Sequence, residues 1–227
     1  MVGENNAEKE KKKSSKKEFN SDSLWTQRGI EDVYFQREAQ VNFWSILGGI
    51  AVAALLTQIP DLIKEIKAGN WHYILYTITA FNVITNSWVQ NLWGSLVVKV
   101  RVSMIQTYLY LLNFIGICII SLFITDPVIF FSVGAAFMLS AILIQVYIMK
   151  TDRWSTFTVE RVRGIKIVIW LYLVLMVILI CAAAQLYWLP SKTSEIIWGI
   201  FIFLSSIGFV VAQHFGMEQE RKEMGIP

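Results

Sequence analysis

Residues 167–191 read IVIWLYLVLMVILICAAAQLYWLPS, 25 consecutive positions without a charge. Apolar side chains follow one another with none of the two-residue alternation of a membrane barrel strand, and the run far exceeds the ~10 residues such a strand needs. A bilayer core about 30 Å thick takes ~20 apolar residues of helix to cross. The stretch therefore reads as one crossing.

Outward from it, the same test finds five more uncharged runs, at 39–60, 68–98, 102–125, 127–149 and 196–217. The six runs hold 147 of the 227 residues, so all 20 basic and 17 acidic residues fall in the remainder. Only 16% of the chain is charged, against roughly 25% for soluble domains, and a soluble globule is excluded. Backbone groups in hydrocarbon must be satisfied within their own segment. The expected fold is therefore all-α, a polytopic membrane protein with a six-transmembrane-helix bundle in three hairpins. The helices are predicted at about 39–59, 71–97, 104–125, 127–149, 165–188 and 195–215.

Basic residues set the orientation. Seventeen Lys and Arg fall in the N-terminal tail, the second and fourth connections and the C-terminus, whereas the opposite side holds only Lys64, Lys67 and Lys192. Both termini are predicted to be cytoplasmic, in the plasma (inner) membrane. Pro60, Pro127 and Pro190 all fall at outer turns, so proline breaks no crossing. In the first outer connection, Pro60 and Asp61 suit a helix start and Gly69 a helix end. Leu62, Ile63 and Ile66 share one face, which predicts a short helix on the outer surface.

The remaining divisions follow from composition. Residues 1–23 form a polar tail expected to be disordered. Within it Lys9, Lys11, Lys12, Lys13, Lys16 and Lys17 make a membrane-surface basic patch, suited to anionic lipid. Residues 24–40 mix Trp25, Ile30, Val33, Tyr34 and Phe35 with charges, as an interfacial helix leading into the first crossing does. The transmembrane domain covers 41–215, and 216–227 is a short cytoplasmic tail. Ala51-Val52-Ala53 has the small residues of a signal-peptide cleavage site, but the apolar run continues past it. Trp44, Trp71, Trp93, Trp154, Trp188 and Trp198 fall near predicted interfaces, where amphipathic rings anchor. Cys118 and Cys181 are expected to be inert packing residues within crossings.

Catalytic chemistry is hard to place. The six runs contain no ionised residue, and His72 and His214 fall at opposite faces, outer and inner. Spacing for a metal site, a phosphate loop or a nucleophile pair is absent. A non-enzymatic protein with no cofactor and no metal is expected, and the aromatic-poor tail gives no reason to expect nucleic acid.

What stands out is the second crossing. Thr79, Asn82, Asn86 and Gln90 are spaced by 3, 4 and 4, which puts them on one helical face. Thr77, Thr85, Ser87 and Asn91 widen it, and Asn113 of the third crossing is expected at the depth of Asn82. Amides facing lipid are costly, so these residues either hydrogen-bond between helices or line a polar path. Small residues every fourth position (Ser45, Gly49, Ala53; Ser132, Ala136, Ser140) allow close helix approach within a bundle or between subunits. The leading expectation is a homo-oligomer in the lipid bilayer forming a polar path for ions or small solutes, of channel or membrane-permeabilising effector type. Two alternatives remain: a membrane anchor or assembly subunit recruiting a cytoplasmic protein partner, and a small-solute transporter or its substrate-binding membrane subunit.

Overall fold

The structure, a computed structural model, describes residues 27–97, 104–150 and 159–223. Among the described residues the fold is all helix and turn: α1 (Gln27–Thr57), α2 (Ile59–Lys67), α3 (Tyr73–Val97), α4 (Met104–Leu122), α5 (Pro127–Lys150), α6 (Val159–Trp188) and α7 (Lys192–Glu223). The basic patch of the tail lies outside the described residues.

Local sequence explains most of the boundaries. Pro sits in the first turn of α2 with Asp61 beside it. At its other end Gly69 takes φ +85. There the Gly69 N–H donates to Ile66 O at 2.9 Å and the Asn70 N–H to Glu65 O at 2.9 Å. This paired closure needs a left-handed residue that only glycine adopts cheaply. Pro127 opens α5, and the Asp126 carboxylate caps it by accepting the Ile129 N–H at 3.1 Å, as helix N-termini favour. The interfacial helix expected before the first crossing is continuous with it as α1. The predicted third crossing, 104–125, ends at Leu122, and the sixth, 195–215, extends to 192–223.

Four segments are long and apolar enough to cross a membrane: Glu38–Lys67, Pro127–Tyr147, Ile165–Trp188 and Lys192–Glu218. No more than a third of each such window is buried within the protein. Ile46, Leu112, Leu139, Trp170, Leu171, Val174, Leu204 and Phe215 are among the large apolar side chains left facing outward. Contiguous apolar surface on this scale needs a nonaqueous neighbour, and the chain is a membrane protein. The apolar stretch Thr107–Leu122 of α4 is shorter than these four, and α3 is set apart by its amides and hydroxyls.

The helices pack in the order α7, α3, α1, α4, α5, α6, with α3 also touching α4. Two of the expected hairpins, α1 with α3 and α4 with α5, are packed pairs. The third is not. α6 lies along α5 and α7 along α3, and the two consecutive helices barely meet. Their side chains explain the split. Ala182 and Ala183 give α6 a small-residue face that is buried, and Gly134 of α5 comes so close to α6 that a Cβ there would lie 3.5 Å from Leu179. α7 instead carries polar groups whose partners are on α3.

Two other expectations change. Trp44 is buried and stacks on Phe114 at 5.3 Å, tying α1 to α4, so it is a core residue rather than a lipid anchor. The small-residue rows face away from the bundle except at Ser140, which meets α4: Ser45, Gly49, Ala53, Ser132 and Ala136 are all exposed, and a Cβ on Gly49 would touch nothing. Ser45 and Ser132 satisfy their hydroxyls on their own helices, on Val41 O and Val128 O. Cys118 is half-buried, and Cys181 faces outward instead of packing.

Candidate functional site

The polar face of α3 is directed at α7, and it extends further than the spacing of Thr79 to Gln90 indicates. Three and seven residues before Thr79 stand Tyr76, fully buried, and His72, 1% exposed. The face thus runs the length of α3, with α7 opposite it.

One end of this seam lies where α2 and the α4–α5 and α6–α7 turns meet. There His72 Nε2 lies 2.9 Å from Glu195 Oε2 on α7. The Tyr73 hydroxyl donates to the same oxygen at 3.2 Å, and the Tyr76 hydroxyl donates to the Glu195 backbone carbonyl at 2.7 Å. Lys192 Nζ donates to Gly69 O at 3.0 Å, strapping the end of α2 to the start of α7. Glu195 Oε2 thus accepts the Tyr73 hydroxyl and lies against the His72 ring. His72 Nδ1 is buried and has no hydrogen-bond partner.

Just inside this end the seam is closed by aromatic rings. Tyr76 meets Phe130 at 5.1 Å and Phe131 at 5.7 Å, both edge-on, and Phe131 meets Trp198 at 6.2 Å. The Trp198 indole N–H donates to Gln185 Oε1 at 3.1 Å, which links α7 to α6. Gly199 lets the helices come this close: a Cβ there would stand 3.2 Å from Tyr76 Cε2.

Further along, the predicted stripe residues separate by role. Thr79 is buried and its hydroxyl donates to Leu75 O on its own helix at 2.8 Å. Asn82 donates across the seam to Ser206 Oγ at 3.0 Å. Beyond that bond the helices part around a cavity of about 210 Å³, lined by Asn82, Thr85, Asn86 and His214 with Phe81, Val89, Val210 and Met217. Asn86 is buried, yet its carboxamide has no hydrogen bond among the described residues. Both side-chain polar atoms of Gln213, beside His214, are likewise buried without a partner. Unpaired amides are expensive in a membrane, and this half-open cavity sets the polar groups of Asn82, Thr85, Asn86 and His214 among mainly apolar walls. Gln90, one turn beyond Asn86, faces the Tyr172 hydroxyl on α6.

Asn113 does not join this group. It donates to Ser140 Oγ at 2.8 Å and so fastens α4 to α5. His72 and His214 stand at opposite ends of one seam. The pairing of His72 with Glu195 was not foreseen; the one available signal was the continuation of the 3–4 spacing back from Thr79 through Tyr76 to His72. Among the described residues, no three His, Cys, Asp or Glu side chains are grouped to hold a metal ion.

No protein-family model, no curated protein and no solved structure matches this chain.

Proposed function

We propose that the protein is a non-enzymatic, multi-pass membrane protein whose α3–α7 seam provides a polar path for ions or small solutes. The observation that supports it most is the cavity at Asn82, Thr85, Asn86 and His214. Interhelical glue uses up its donors and acceptors. Here the carboxamide of Asn86 is left open on the cavity instead, as a conduction lining needs. In this reading α3 and α4 also cross, giving six crossings with both termini cytoplasmic in the plasma membrane. The cavity is then the inner vestibule, and the aromatic rings with the His72–Glu195 pair form a closed outer gate. The outward rows Ser45-Gly49-Ala53 and Ser132-Ala136 suit packing against further copies, in keeping with a homo-oligomer.

The test is flux through the purified protein in liposomes, read as potassium release and as escape of a small uncharged dye. Asn86→Leu should reduce the flux by roughly tenfold or more, since it replaces a lining dipole of the vestibule with an apolar wall. A parent protein that passes nothing, or a variant that passes as much as the parent, defeats the proposal.

A further inference from the structure

The end of the seam at His72 and Glu195 carries ionisable groups that polar glue does not require. The imidazole is 1% exposed and the glutamate side chain 24% exposed. They come from helices far apart in the chain and meet through a single 2.9 Å contact. Carboxylates and one cation surround them. Glu65 of α2 and Asp126 at the start of α5 act on Tyr73 together with Glu195. The cation at this end, Lys192, is directed at Gly69 O. Tyr73 and Tyr76 supply neutral hydroxyl donors. With His72 neutral, Glu195 has no ion-pair partner among the described residues, the Lys192 ammonium being directed to Gly69 O instead.

We propose that His72 and Glu195 form a proton-binding site that latches α3 to α7, closed when the proton is bound. A proton taken up by the imidazole turns a hydrogen bond into an ion pair across the seam and cancels the charge of Glu195. The imidazolium so formed faces the Glu195 carboxylate through Nε2, while its Nδ1–H finds no acceptor among the described residues. When the proton leaves, the contact reverts to a hydrogen bond from a neutral ring. The carboxylate is then drawn towards water, and Glu195 tends to part from α3. The backbone carbonyl of Glu195, held by the Tyr76 hydroxyl, moves with it, so the movement reaches the aromatic rings directly. Imidazole is the side chain that ordinarily changes charge between about pH 5 and 8. The latch is the regulation of the same seam and rests on it as a path only for its consequence, because its test reads a distance.

The full chain, with Cys118→Ser and Cys181→Ser, takes spin labels at Ile74→Cys on α3 and Ile197→Cys on α7, both exposed positions. Distances are measured in lipid nanodiscs near pH 5.5 and pH 8.5. A single short distance is expected in acid, and a longer population should grow by roughly tenfold at the higher pH, as loss of one stabilising proton allows. Glu195→Gln and His72→Gln should show the longer population at both pH values, whereas Lys192→Met should keep the response. Identical distances at both pH values in the parent overturn the proposal. So does a response that survives in Glu195→Gln and His72→Gln, or one that disappears in Lys192→Met. The parent comparison changes neither member of the pair, so a variant that folds badly leaves the test intact. A protein that passes no ions yet shows this response refutes the path and keeps the latch.

Discussion

The α5–α6 and α3–α7 contacts run through the same bundle and are built on opposite principles. Between α5 and α6 the buried residues are Phe131, Ala135, Met138, Leu179, Ala182, Ala183 and Leu186, with Gly134 allowing close approach. On the α3–α7 side they are His72, Tyr76, Thr79 and Asn86 with Gly199, Ile202 and Ser206 of α7, and the half-buried Glu195 joins them through His72. Lipid tails are as apolar as leucine, so no hydrophobic force holds helices together within a membrane, and shape fit or hydrogen bonds must do it. The α5–α6 pair depends on fit, which is lost all at once when the surfaces are forced apart. The α3–α7 pair depends on a few directional bonds, each of which water can replace. One is a scaffold, and the other is a seam able to part.

The comparison breaks most easily on the scaffold side. Ala182 is 0% exposed, so Ala182→Phe must push α6 away from α5. Overpacking of this kind costs about 1–3 kcal/mol and occasionally more. A large fall in melting temperature and a loss of monodisperse protein in detergent are expected. Ala212→Phe, on the exposed surface of α7, should do neither. Equal damage from both substitutions would mean that α5–α6 is no tighter than the rest.

A smaller effect is expected where the seam itself is closest. A Cβ at Gly199 would lie 3.2 Å from the Tyr76 ring, so Gly199→Ala displaces the ring by a few tenths of an ångström. The displacement strains the 2.7 Å bond from the Tyr76 hydroxyl to Glu195 O. The expected loss is about 0.5–1.5 kcal/mol, the net worth of one such bond. Thermal unfolding should register it, together with raised flux. An unchanged melting temperature would show that the ring moves freely and that the aromatic closure is loose.

The sequence shows some of this and hides the rest for a physical reason. Helices and turns are local, so charge-free runs, Pro60, Pro127 and Gly69 located most of them, although α7 runs eight residues past its predicted end. The neutral polar face of α3 is also local, because helical spacing alone aligns Thr79, Asn82 and Asn86. What faces it is a tertiary fact. Chain adjacency suggested that α7 would pack on α6, and nothing near Glu195 indicates that its partner is His72, 123 residues away. Asn113 misled in the same way: one amide inside a crossing reads alike whether it borders a cavity or, as here, bonds to Ser140.

The smallest expected effect separates glue from lining within the seam. Asn82 and Ser206 are bonded at 3.0 Å, Asn113 and Ser140 at 2.8 Å. Double-mutant cycles to alanine on each pair should return a coupling of ~0.6 kcal/mol, the average for such bonds in membranes. Asn86 has no such partner, so Asn86→Leu should leave the melting temperature level or raise it, because an unpaired amide costs free energy in an apolar setting. If Asn86→Leu destabilises as much as Asn82→Ala, then Asn86 is bonded after all. The seam would be glue throughout, and its likeness to α5–α6 would outweigh the contrast. If instead Asn86→Leu costs flux without costing stability, the amide was kept for the cavity. Stability and flux then fall on neighbouring residues of one helix face, Asn82 holding the helices together and Asn86 holding open the space between them.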